Sequence, residues 1–273
     1  MKQSTDLEKY FRPSKLPVLN DINFSNSFLD NYYGNEPSEV SLSGYLFKTQ
    51  RDTIINYFSL LREAANPVEG KSAGCGTIGN AKLPYKVSYN FLSSSYQERL
   101  SYDQFLKKFE NILHINLIKL KKVPVYEEHS NNIRYFVEIE TIEGSDKGVA
   151  YFAYYYGFID IICENGKYKI SDSVLYPENY LCAPYHGWAY MAESVVDIKY
   201  GEWCLFVKER YKTQQDEYIK LIFFKGTDGH DYAIEFYQLT NGTDIEISQY
   251  IKSENENWRL LLLDADECLQ NNY

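Results

Sequence analysis

The stretch Gly148–Tyr176, "GVAYFAYYYGFIDIICENGKYKISDSVLY", decides the fold. Its first half is apolar at odd and even positions alike, the pattern of a central strand covered on both faces. Asn165-Gly166 is the dipeptide of a tight hairpin turn, because both residues tolerate positive φ. The chain then returns as a second strand. Gly157, in the middle of the long strand, is expected to mark a bulge or bend. Two more strands precede this hairpin. "NIRYFVEIETIE" (132–143) alternates, with Tyr135, Val137 and Ile139 on one face and Arg134, Glu138 and Glu140 on the other, and "INLIKLKKVPVYEE" (115–128) alternates similarly.

Helices lie upstream of the strands. In "FKTQRDTIINYFSLLREAA" (47–65), Ile54, Phe58, Leu61 and Ala65 fall on one stripe of an amphipathic helix. Asn66-Pro67 ends it, since proline cannot continue the ladder. In "PYKVSYNFLSSSYQERLSYDQFLKKFENIL" (84–113), a short helix is expected over about residues 85–92. Ser101 and Gln104 then form a capping box, with Phe105, Phe109 and Ile112 as the apolar stripe behind it. Helices followed by an antiparallel meander imply an α+β fold, with the helices packed on a bent antiparallel sheet.

From Leu181 the pattern starts again. "PYHGWAYMAESVVDIKYGEW" (184–203) reads as one helix with Trp188, Met191, Val195 and Ile198 buried. Five strand candidates follow, with turns at Gly226–His230 and Asn241-Gly242. This predicts a smaller α+β unit of one helix and a meander. The expected organisation is an N-terminal arm over 1–40, an α+β domain over 41–180 and a smaller α+β domain over 181–273. The prolines Pro177 and Pro184 flank the junction.

The succession "YFSLLREAA", then "YNFLSSSYQERLSYDQFLKKFENI", then four strands ending "GKYKISDSVL", resembles the nuclear-transport-factor-2-like (cystatin-like cone) superfamily, in particular its bacterial members. The likeness covers about residues 45–178. It lies in spacing and helix phrasing and includes no catalytic signature. The resemblance implies a cone-shaped domain with a pocket between the curved sheet and the helices.

One motif invites a different reading. Ala65-x-x-x-x-Gly70-Lys71-Ser72 fits a relaxed phosphate-binding loop. Such a loop must leave a strand and open a helix whose N–H groups face the phosphates. Here the motif closes a helix, where the dipole repels anions. Nucleotide binding is therefore not expected.

Composition narrows the classes further. The net charge of −10 argues against a nucleic-acid binder, which needs a basic face. The region 181–273 holds 16 acidic against 8 basic residues, so it carries most of that charge. Apolar runs are far short of the ~20 residues that span a bilayer, and the start lacks a signal-like apolar segment. The five cysteines are scattered without a C-x-x-C pair, so neither a disulfide framework nor a zinc site is expected. Reduced, mostly buried thiols and a cytoplasmic location follow, or an exported one if a signal was removed from a longer precursor. Cys75, between two glycines, has no basic neighbour to activate it.

The candidate ligand-binding residues are Tyr151, Tyr154, Tyr156, Phe158 and Asp160 on the long strand, with Tyr154, Tyr156, Phe158 and Asp160 on one face and Tyr151, Tyr155 and Ile159 on the other. Phenol groups combine flat apolar contact with one hydrogen bond. Asp160 stands inside an apolar run, where it would face solvent, pair with a lysine, or act as an acid or base. His186, Tyr190, Glu193 and Asp197 share a helical spacing but are too spread for one metal ion. Cys182 and His186 lack a third, orienting group. No catalytic residue, metal or cofactor is assigned. The expected function is a non-enzymatic binding or interaction module with an aromatic small-molecule pocket. The alternative is a small-molecule enzyme of isomerase or hydrolase type using the same pocket. Partners would be a small molecule or a protein, including a homodimer through the sheet's outer face.

Overall fold

The computed structural model describes residues 12–71, 82–126, 132–179, 181–254 and 256–271. Contacts group the described residues of 1–122 and 130–178 into one unit, and those of 123–129 and 179–273 into a second. The class is α+β, helices with antiparallel sheets.

In the first unit a short helix, Asn26–Asp30 (α1), precedes α2, Gln50–Arg62. Thr49 caps α2 by accepting from the Asp52 amide. Ile54, Phe58 and Leu61 are buried along it, and Ala65 just beyond its end is buried too. Three short helices follow: α3 (Leu83–Tyr89), α4 (Ser94–Arg99) and α5 (Tyr102–Lys107). The Ser101/Gln104 capping box forms as read. The stripe behind it does not lie on one helix. α5 stops at Lys107, and Asn111 at φ 66° turns the chain, so that Ile112 opens a strand. All three residues are nevertheless buried. α4 is a helix the sequence reading missed. Ser93 caps it, and the extended Leu100 separates it from α5.

The sheet comprises β1 (Ile112–Val123), β2 (Ile133–Glu143), β3 (Tyr151–Glu164) and β4 (Lys167–Pro177), in the order β1-β2-β3-β4. The pairs β2–β3 and β3–β4 are antiparallel, and Asn165 (φ 51°) with Gly166 (φ 73°) makes the turn between the last two strands. Tyr135, Val137 and Ile139 join the core with the helices. Arg134, Glu138 and Glu140 take the alternate positions, as strand geometry requires. Gly157 is not the bulge. The register shift falls between Asp160 and Ile161, whereas Gly157 pairs in register with Val137 and Leu175. A Cβ at Gly157 would stand 1.9 Å from the Val174 carbonyl oxygen, so glycine permits a close approach of β4 there.

The segment after Arg12 is tied along β1. Leu19 donates its amide to the Leu117 carbonyl, and the buried Asn20 side chain bridges the Phe58 and Ile115 carbonyls while accepting from the Leu117 amide. On the sheet face away from the helices, Glu140 is fully buried. It accepts from Arg12 (3.2 Å), Asn116 (3.4 Å) and Tyr154 (2.8 Å). Burying a carboxylate this way is tolerable only because it is paired and hydrogen-bonded. Elsewhere, the ammonium groups of Lys167 and Lys169 lie 5.5 and 4.4 Å from the Phe47 ring centre. Burial, then the Lys167 charge, lowers the Lys169 pKa to about 8.

The second unit has α6 (Ala183–His186), α7 (Ala192–Val195), strands β5 (Val207–Arg210), β6 (Gln214–Asp216), β7 (Ile219–Gly226), β8 (Asp231–Gln238), β9 (Asp244–Lys252) and β10 (Arg259–Leu261), and a final α8 (Ala265–Asn271). The sheet order is β10-β9-β8-β7-β5, with β6 also on β7. The long helix read over 184–203 is broken. Gly187 sits at φ 90° and ends α6, and after α7 the chain winds as a π-helix over Val196–Trp203. Of the expected stripe only Val195 is buried: Trp188 and Met191, on the separate turn after Gly187, are exposed, and Ile198, within the π-winding, is half-buried, while Ala192, Val196 and Tyr200 are buried instead. β6 and α8 were not anticipated.

The expectation of uniformly reduced, mostly buried thiols is also corrected. Cys204 and Cys268 form a disulfide, and the free thiols of Cys163 and Cys182 are exposed. Sequence spacing could not pair two cysteines 64 residues apart, because α8 had no signal that placed it against the π-helix end. Cys75 lies outside the described residues.

Candidate functional site

Two serine caps eight positions apart, Ser93 and Ser101, start α4 and α5 in succession. α4 then presents Tyr96, and α5 with its following turn presents Phe105, Lys108 and Phe109. Beneath them the sheet contributes Ile112, Ile139, Tyr155 and Leu175, and α2 contributes Tyr57 and Phe58. Together these residues line a cavity of about 440 Å³ in the first unit, closed further by Leu92 and Leu100. That volume lies within the ~300–1,000 Å³ of small-molecule sites.

The lining is mostly apolar, with polar groups from Tyr96, Lys108, Glu110, Tyr155 and Ser173. Lys108 donates to the Tyr96 hydroxyl at 3.1 Å, and that hydroxyl donates to the Ser173 carbonyl at 3.3 Å. The Lys108 ammonium is 5.6 Å from the Tyr96 ring centre, and the Arg99 guanidinium is 5.1 Å from it. Tyr155 donates to Glu143 at 2.8 Å, which fixes its ring at the wall. Tyr151 and Thr141 donate to the same carboxylate at 2.7 and 3.0 Å. Burial raises the Tyr57 pKa well above the usual phenol value, so its hydroxyl stays neutral.

None of the five candidate residues lines this cavity. Tyr151 serves the Glu143 cluster. Tyr154, Tyr156, Phe158 and Asp160 take the alternate positions of β3, on the face away from the helices. There Tyr154 bonds to Glu140, Tyr156 lies 5.5 Å from Tyr176 ring to ring, and Phe158 lies 6.0 Å from Phe136. Asp160 pairs with an arginine, not a lysine: Arg134, directly across the ladder, holds it at 2.7 and 2.8 Å. On a strand apolar at both phases, sequence alone does not say which phase meets the helices. Tyr155 and Ile159 are the ones that do. The residues missed, Tyr96 and Lys108, had a readable signal in the spacing of the two serine caps.

Other candidates disperse. Residues 66–71 follow the end of α2, and the rest of the glycine-rich stretch from Ser72 lies outside the described residues. The His186 ring stands 4.5 Å from Tyr190, and Asp197 pairs with Arg210, on segments separated by Gly187. Among the described residues, no cluster of three potential metal ligands is found, and no helix is long and apolar enough to cross a membrane.

No family model matches the chain, and no curated protein matches it. Among solved structures it is similar to an "Ntf2 like protein involved in plasmid conjugation". The identity is 9% and the TM-score 0.24, over 76% of this chain and 92% of that one. A match at that score carries no conclusion.

Proposed function

We propose that the protein is a non-enzymatic binding module whose first unit holds a small apolar molecule between α2–α5 and the sheet. The observation that carries this is the cavity itself: about 440 Å³, lined largely by aromatic and aliphatic side chains, with its few polar groups gathered around Tyr96, Lys108 and Ser173. Native cores rarely leave such a space unfilled, since each lost contact costs stability. The resemblance of the helix–sheet succession to the nuclear-transport-factor-2-like superfamily agrees with a pocket in this place. The Cys204–Cys268 bond supports a location in an oxidising compartment, where disulfides persist.

The test is occlusion. Leu175→Trp should fill the cavity and abolish the thermal shift given by a panel of small apolar compounds. The folded state should survive, because its own transition stays cooperative. A wild-type protein that shows no shift with any compound, or shifts that survive in Leu175→Trp, would place binding elsewhere and end this reading.

A further inference from the structure

Resting on that reading, we infer that the ligand carries a single anionic head on an apolar body, with the head held at Lys108. Three observations converge. The chain carries a net charge of −10, yet two cations flank one ring at this cavity, Arg99 at 5.1 Å and Lys108 at 5.6 Å from Tyr96. Lys108 itself lines the cavity, and its ammonium has three donors, of which the Tyr96 hydroxyl takes one. The rest of the lining is dominated by apolar side chains such as Phe105, Ile139 and Leu175, which favour a hydrocarbon body.

Glu110 is the one carboxylate in the lining, and both it and Lys108 are exposed, at the cavity's rim. The lining itself therefore holds one ammonium and one carboxylate; outside it, Arg99 lies over the Tyr96 ring while donating to the Ser95 and Ser171 carbonyls, and Glu143 holds Tyr155. An acid entering body-first would leave its head at the rim, where the Lys108 ammonium can donate a charge-assisted hydrogen bond to it. Tyr96 braces Lys108 in that position by accepting from it while its own proton goes to Ser173. An amine in the same place would face repulsion from Lys108.

The experiment is calorimetric titration with three eight-carbon probes of matched body: octanoic acid, 1-octanol and octylamine. Each is run against wild type, Lys108→Gln and Leu175→Trp. In wild type the acid should bind about ten- to a hundredfold tighter than the alcohol, with the amine weakest. The advantage should shrink as salt is raised. In Lys108→Gln the acid should fall to the level of the alcohol while the alcohol is unchanged. Leu175→Trp should bind none of the three. Equal binding of acid and alcohol in wild type, or an acid advantage that survives Lys108→Gln, overturns the inference and leaves the pocket standing. An amine that binds best assigns the polar end to Glu110 and also overturns it. Failure of all three probes removes the pocket reading and this inference together.

Discussion

Glu140→Ala should cost the first unit about 3–5 kcal/mol, the loss expected when one member of a buried ion pair is removed. Glu140 and its partners Arg12 and Asn116 are all nearly inaccessible to solvent, at 0%, 3% and 1% exposure. The alanine variant removes the Glu140 carboxylate from the buried Arg12 guanidinium, and the Asn116 amide and Tyr154 hydroxyl lose the acceptor they share. Glu140→Gln retains an acceptor without the charge and should lose less. Urea denaturation followed by far-ultraviolet circular dichroism measures both. A cost below about 1 kcal/mol for the alanine variant would show that the network contributes little and that the Leu19 and Asn20 contacts hold the segment after Arg12 without it.

The second large effect is in the other unit. Opening the Cys204–Cys268 bond releases a constraint across 64 residues. Chain entropy puts its worth at about 4 kcal/mol, with measured values typically ~2–4. The three tryptophans, Trp188, Trp203 and Trp258, all belong to this unit, so their fluorescence reports it selectively. The tryptophan-detected denaturation midpoint should fall sharply in dithiothreitol and in a Cys204→Ser/Cys268→Ser variant. Superimposable curves with and without reductant would mean that the bond does not stabilise the unit, or that it is not formed in solution. Mass spectrometry of the intact protein separates those two outcomes.

Which features were legible in the sequence follows from what local pattern encodes. The β3–β4 hairpin was readable because Asn165-Gly166 is a local requirement for positive φ, and the two faces of β2 were readable because charge and apolarity alternate there. α5 announced itself through the Ser101 capping box. The phase of β3 was not legible, because tyrosines and aliphatics occupy both of its faces and only the packing of α2–α5 chooses between them. The site assignment failed on that choice. The break at Gly187 and the π-winding after Val196 were hidden for a related reason. Helical periodicity over 184–203 looks continuous until one glycine adopts a left-handed φ and one turn widens. The disulfide depends on a tertiary contact between α8 and the π-helix that no spacing rule contains.

If the protein is a binding module, the space between Tyr96 and Tyr155 is where its ligand sits. The most direct measurement is a crystal structure of the protein grown with 8-bromooctanoic acid and recorded at the bromine absorption edge. One strong anomalous peak is expected inside the first unit, among Phe58, Phe105, Ile139 and Leu175, with the carboxylate within hydrogen-bonding distance of Lys108 Nζ. A cavity closed by its own side chains, with bromine found only at the surface, would contradict it.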